Sequence, residues 1–77
     1  MNLSEKLVAQ SNLARLSMRE IEILKHVVMG KSNTKIAEEL CLSVHTIKAH
    51  VCSILHKMAV TDRVQAAVKA VREHLVD

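Results

Sequence analysis

The first regular pattern of apolar residues in this 77-residue chain begins shortly after residue 16. Four apolar side chains there share one face of a helix: Ile21, Leu24, Val27 and Val28. This spacing predicts a helix over residues 18–29. Ser17, with Glu20 three residues later, matches a capping box, in which each side chain accepts a hydrogen bond from the other residue's backbone N–H. Gly30, the only glycine, is expected to end the helix, because a left-handed residue costs least without a Cβ.

Two more helices are predicted on either side of a tight turn. Ser32 or Asn33 can cap the second helix, which has room for only about eight residues. Its inward positions are Ile36, Ala37 and Leu40. Ser43 can cap the third helix, which begins at Val44. Because so few residues separate a short helix from a longer one, the pattern is typical of a helix-turn-helix motif.

The third helix, residues 44–58, has two unlike faces when its residues are placed at 100° intervals. The apolar face, expected to pack on the core, comprises Ile47, Val51, Ile54, Leu55 and Met58. The opposite face comprises His45, Ala49, Cys52 and His56, with Lys48 and Ser53 beside it. This second face carries small and polar side chains rather than long Glu/Lys pairs, which suits close approach to another surface.

A fourth helix is predicted to start near Thr61 or Asp62, and it carries two apolar stripes. The wider stripe comprises Val64, Val68, Val71 and Leu75, and the narrower one comprises Ala66 and Ala70. The pattern alone leaves open which stripe packs inward. The predicted fold is all-α: a four-helix domain over residues 15–77 after a loosely structured lead-in, residues 1–14, interpreted as a linker or frayed helix.

Composition narrows the functional classes. Hydrophobic residues make up 49% of the chain and aromatic residues 0%, which favours a core of packed helices. The net charge of +3 only slightly favours a nucleic-acid partner. No catalytic set of nucleophile, base and orienting carboxylate is recognisable, so we expect neither an enzyme nor a small-molecule substrate. Without a signal sequence or an apolar run of membrane-spanning length, the expected location is the cytoplasm, with no membrane partner.

Histidines and cysteines at helical spacing raise the alternative of a metal site. Cys41 with His45, and Cys52 with His56, are each four residues apart, a spacing that can bring two ligands to one ion. His45 and Cys52, however, lie roughly 10 Å apart along the helix axis at 1.5 Å per residue, too far for one tetrahedral site. We therefore expect no metal and no cofactor, and we expect the Cys41 thiol to be buried in the turn.

Five motifs follow one another along the chain. They are L-S-x-R-E from Leu16, G-x-S-N-x-x-I-A-x-x-L from Gly30, S-x-x-T-I-K-x-H from Ser43, K-M-x-V from Lys57 and R-x-x-A-A from Arg63. In this order and at this spacing, residues 16–75 resemble the LuxR-type helix-turn-helix domain of quorum-sensing regulators and of NarL/FixJ-class response regulators. The resemblance implies a sequence-specific double-stranded DNA-binding domain of a bacterial transcriptional regulator, expected to be the C-terminal effector domain of a two-component response regulator.

The resemblance also implies roles for individual residues. The third helix enters the major groove, and the expected base-reading residues are Lys48, Ala49, Cys52 and His45. Cys52 stands where many family members have Lys or Arg, which removes one charged donor. The expected phosphate-contacting residues are Ser32, Asn33, Thr34, Lys35, Thr46, His50 and Lys57. The last helix implies a homodimer, with Val64, Val68, Val71 and Leu75 as candidate dimerisation residues.

Two alternatives remain open at this stage. Region 4 of sigma factors has a similar run of residues and would dock on RNA polymerase at a promoter, which makes RNA polymerase a candidate second partner. The apolar fourth helix that follows the third one disfavours this alternative. The other is a protein-interaction module that kept the fold and lost DNA binding, using an apolar patch that includes Ala49 and Cys52.

Overall fold

The computed structural model describes residues 16–76, which form four helices and no strand. They are α1 (Met18–Val28), α2 (Asn33–Leu40), α3 (Val44–Lys57) and α4 (Arg63–Arg72). The predicted all-α fold is confirmed. The lead-in, residues 1–14, lies outside the described residues, as do residue 15 and Asp77. None of the four helices is long and apolar enough to cross a membrane.

Each of these helices starts at a side-chain cap: Ser17, Ser32, Ser43 or Asp62. The Ser17 hydroxyl accepts from the Glu20 N–H at 3.0 Å, and Glu20 Oε1 accepts from the Ser17 N–H at 2.8 Å, which confirms the predicted capping box. Of the two candidate caps for α2, Ser32 takes the role, with its Oγ 3.1 Å from the Lys35 N–H. The caps satisfy N–H groups that have no partner inside the helix, so the starts of the helices are fixed locally.

The four helices also end in the same way, with a residue in the left-handed region just beyond the last turn. These residues are Gly30 (φ 79°), Cys41 (φ 56°), Ala59 (φ 57°) and His74 (φ 54°). The left-handed conformation of Gly30 confirms its predicted role at the end of α1. Cys41 was expected to be buried, and that expectation was wrong: its side chain is exposed. The next residue, Leu42, is partly buried and packs against the core instead.

The core lies where α1 packs on α3 and α4, and where α2 packs on α3. Its fully buried large side chains are Ile23, Leu24, Ile36, Ile47 and Ile54. On α4 the buried residues are Ala66 and Ala70, so the narrower of its two apolar stripes packs inward. Because alanine has only a methyl group, α4 can lie close to α1, while its valines face outward. Lys69 secures α4 further by donating to the Met58 carbonyl, at the end of α3, at 2.8 Å.

Candidate nucleic-acid interface

The face of α3 opposite the core is open to solvent along the helix. Its exposed residues are His45, Lys48, Ala49, Cys52 and His56. The buried residues of the same helix, Ile47 and Ile54, hold it against the other helices and so fix which side faces outward. The predicted separation of α3 into an inward apolar face and an outward small and polar face is confirmed. An exposed helix of this kind fits the width of a DNA major groove.

Among residues 16–76, the Thr46 hydroxyl in the first turn of α3 has no hydrogen-bond acceptor. The Ser43 Oγ accepts from the Thr46 N–H at 3.0 Å and donates its own hydrogen to Thr46 Oγ1 at 2.8 Å. The Thr46 oxygen therefore accepts from Ser43, and its O–H points to a different acceptor. Thr46 is half-buried. A phosphate oxygen beside this turn would provide such an acceptor.

The start of α2 carries four of the predicted phosphate-contacting residues. Ser32, Thr34 and Lys35 are exposed, and Asn33 is half-buried. The Asn33 Oδ1 accepts a hydrogen bond from Arg63, the first residue of α4. The N–H groups of this first turn and the Lys35 ammonium give the start of α2 a positive potential, which favours an anion.

The remaining two predicted phosphate residues lie on the flanks of α3. His50 is half-buried. Lys57 donates to Glu20 Oε1 at 2.8 Å, and Ser53 donates to Glu20 Oε2 at 2.7 Å. Glu20, only 3% exposed, therefore joins the start of α1 to the second half of α3. The sequence predicts only the capping-box role of Glu20, because the partners in its second role lie more than thirty residues away.

Glu20 is ionised throughout the usual pH range. Burial raises the pKa of its carboxyl group. The hydrogen bonds from the Lys57 ammonium, the Ser17 N–H and the Ser53 hydroxyl, together with the charge of Lys57, outweigh burial and lower the pKa from 4.5 to about 2. The carboxylate thus acts as a fixed negative charge that orients two side chains of α3.

The outer face of α4 carries an exposed apolar stripe. Val64 is 72% exposed, Val68 49% and Val71 56%, and Leu75 beyond the helix end is half-buried. All four belong to the stripe predicted for dimerisation. This face lies on the side of α4 away from Ala66 and Ala70, so it is available to another molecule.

Comparison with known proteins places this arrangement in a family. The family model described as "Bacterial regulatory proteins, luxR family" (GerE) matches residues 14–70. The chain belongs to this luxR family. The match begins two residues before the described part of the chain and includes α1, α2, α3 and most of α4. The resemblance noted in the sequence is thereby confirmed.

Individual relatives of this luxR-family chain are bacterial regulators. It is 50% identical over 62 residues to the transcriptional regulatory protein LiaR of Bacillus subtilis, covering 80% of this chain and 29% of LiaR. It is 41% identical over 61 residues to the response regulator protein VraR of Staphylococcus aureus, covering 79% of this chain and 29% of VraR. The chain thus spans less than a third of the length of these curated relatives.

A solved structure supports the fold of the luxR-family chain. The crystal structure of the response regulator ChrA, from a heme-sensing two-component system, superposes with a TM-score of 0.75 at 39% identity. The match covers 79% of this chain and 30% of ChrA. Membership of the luxR family implies DNA-binding transcription regulation.

Proposed function

We propose that this chain is the sequence-specific, double-stranded DNA-binding domain of a bacterial response regulator, with α3 in the major groove. The observation that carries the proposal is the exposed face of α3, held outward by the buried Ile47 and Ile54 of the same helix in a luxR-family domain. The proposed location is the bacterial cytoplasm, and the proposed activity requires neither an enzyme site nor a cofactor.

Base reading is assigned to the exposed side chains of α3. Lys48 can donate to O6 and N7 of guanine, and the methyl group of Ala49 can contact the methyl group of thymine. His45 lies at the start of the same face, where the helix enters the groove. Cys52 offers only a weak donor, so we expect the base pair opposite it to be read less strictly than the one opposite Lys48.

Phosphate contacts fix the position of the domain on DNA without reading its sequence. We assign them to the start of α2 and the flanks of α3: Ser32, Asn33, Thr34, Lys35, Thr46, His50 and Lys57. Lys57 stays in this set although Glu20 accepts one of its hydrogen bonds. Such contacts from two helices on either side of the turn would clamp α3 in the groove.

Dimerisation is assigned to the exposed valines of α4, Val64, Val68 and Val71, together with the half-buried Leu75 just beyond the helix end. A two-fold symmetric pair of α4 helices would bury these side chains and place two α3 helices in successive major grooves, about 34–36 Å apart. Two half-sites on the DNA are then expected. The match to the luxR family supports this proposal over the sigma-factor alternative, in which RNA polymerase is the main partner.

Salt dependence tests the proposal directly. With about four phosphate contacts in each protomer, log K against log[salt] should have a slope of about −7 for the dimer. A duplex is first obtained by selecting bound fragments from random DNA and is then labelled. Its fluorescence anisotropy is measured as the chain is added, at several salt concentrations. A protein-interaction module that has lost DNA binding would select no fragments, and a slope near zero on a selected duplex would also contradict the proposal.

A further inference from the structure

We infer that Arg63 is a positioning residue for DNA binding, because it holds the side chain of Asn33 with the amide nitrogen turned toward the DNA backbone. The inference rests on the proposed function and extends it to a residue outside the helix-turn-helix itself. Arg63 is the first residue of α4 and Asn33 the first residue of α2, thirty positions earlier. The contact therefore joins the helix assigned to dimerisation to the helix assigned to phosphate binding.

The chemistry of the contact decides how the amide is oriented. Arg63 Nη1 donates to Asn33 Oδ1, and Arg63 Nη2 donates to the Lys31 carbonyl at 2.7 Å. A guanidinium group has donors only and no acceptor, so the atom of Asn33 that faces it must be the oxygen. The Nδ2 group, with its two hydrogens, necessarily points away from Arg63. The second bond, to Lys31, keeps the planar guanidinium from rotating away.

The Nδ2 group of Asn33 is accessible to a ligand. Among residues 16–76 it has no hydrogen-bond partner, and no buried side-chain nitrogen or oxygen in that range lacks one, so Nδ2 lies at the surface. The residues on either side, Ser32 and Thr34, are exposed. Both hydrogens are therefore presented in the first turn of α2, where the backbone N–H groups also favour an anion.

Arg63 contributes through geometry rather than through charge alone. A lysine at this position would keep the positive charge, but its single ammonium group lacks the rigid fork that reaches two acceptors at once. Without the Arg63 contact, the Asn33 amide is free to rotate, and either its oxygen or its nitrogen can face the DNA. An oxygen facing a phosphate is repelled, so part of the binding energy is lost in fixing the amide.

The test is a double-mutant cycle on the full 77-residue chain. Binding to a fluorescein-labelled duplex of mixed sequence is measured at low salt, since a phosphate contact does not depend on sequence. Asn33→Ala and Arg63→Lys are each expected to weaken binding about tenfold, as for one hydrogen bond to a charged group. The double variant should bind as weakly as Asn33→Ala alone, and Arg63→Lys should leave the salt slope unchanged.

Several outcomes would overturn the inference. Wild-type affinity for Arg63→Lys would overturn it, and so would a double variant whose loss of affinity is the product of the two single losses. If the wild-type chain binds no duplex at all, the proposed function fails and this inference fails with it. If the wild type binds but the two positions show no coupling, only the inference fails.

A second variant separates positioning from a loss of folding. Asn33→Asp keeps an oxygen facing Arg63 and adds a negative charge at the start of α2, so its thermal unfolding temperature, followed by circular dichroism, should be at least that of the wild type. It places a second carboxylate oxygen where Nδ2 stood, and we expect it to bind DNA more weakly than Asn33→Ala. Wild-type affinity for Asn33→Asp would show that Nδ2 does not face phosphate, even if Arg63→Lys proved too unstable to measure.

Discussion

Glu20 holds two helices together with one carboxylate. It completes the capping box of α1 and accepts hydrogen bonds from Ser53 and Lys57 of α3. Burying a charge is costly unless it is paired and hydrogen-bonded, and here both requirements are met. The position of α3 on the surface of the domain therefore depends on a residue that lies outside the helix-turn-helix motif.

The low pKa of Glu20 predicts a loss of stability in acid. Because the folded-state pKa is about 2 and the ordinary value is 4.5, the stabilisation is complete above about pH 5 and is lost as the pH falls toward 2. The loss attributable to Glu20 should reach about 2 kcal/mol at pH 3. Urea unfolding at pH 6 and pH 3 measures it: Glu20→Gln should be less stable than the wild type at pH 6, and this difference should shrink at pH 3.

The matched control for this experiment is Glu22→Gln. Glu22 pairs with Arg19 at 3.4 Å, and both side chains are nearly half exposed, so solvent screens the pair. We expect Glu22→Gln to follow the pH dependence of the wild type. An equal pH response for Glu20→Gln and the wild type would contradict the role assigned to the buried carboxylate.

Variants at two lysines test the proposed division between base reading and phosphate contact. Lys48→Ala should lose roughly 1–3 kcal/mol of binding free energy on a selected duplex and relax the preference at one base pair. Lys35→Ala should weaken binding to selected and scrambled duplexes alike, because a phosphate contact carries no sequence information. Anisotropy titrations on both duplexes measure this, with the exposed Lys25→Ala on α1 as control. Equal losses for Lys48→Ala on both duplexes would remove it from the base-reading set.

The helices themselves were largely predictable because their signals are local. A cap at Ser17, Ser32 or Ser43 acts within three residues of its own position, and the apolar spacing of α3 alone separates its two faces. The contacts of Glu20 and Arg63 were not predictable, because they join residues thirty or more positions apart. The orientation of α4 was also undecided, since either of its stripes is apolar enough to pack.

Three of the four helix ends use a residue other than glycine in the left-handed region, which predicts a simple route to higher stability. Ala59, with φ 57°, is exposed. Ala59→Gly should stabilise the domain by up to about 1 kcal/mol, because glycine adopts this conformation without a Cβ penalty. Ala67→Gly, within α4, should instead destabilise it by about 1 kcal/mol. Thermal unfolding of both variants checks the prediction, and destabilisation by both would contradict it.

At the scale of the whole molecule, the domain has two outer surfaces of different chemistry. The α3 face and the start of α2 form a polar surface with a net positive contribution from Lys35 and Lys48, whereas α4 presents valines. Arg63 and Lys69 tie α4 to the rest of the domain, through the Lys31 and Met58 carbonyls respectively. A second copy bound at α4 would thus be linked by direct hydrogen bonds to the surface that we propose faces DNA.

Removing the exposed valines should convert a dimeric DNA complex into a monomeric one. The double variant Val64→Ser and Val68→Ser changes two exposed side chains. Because serine and valine have similar helix propensities, the fold should persist. On a selected duplex with two half-sites, we expect one bound chain instead of two at moderate concentration, with the salt slope falling from about −7 to about −4. Sedimentation velocity of the complexes gives the stoichiometry.

The control replaces two other exposed apolar residues, Met18→Ser and Met29→Ser, and should leave two chains bound. Two chains bound by the valine variant would place the dimer contact elsewhere on the domain.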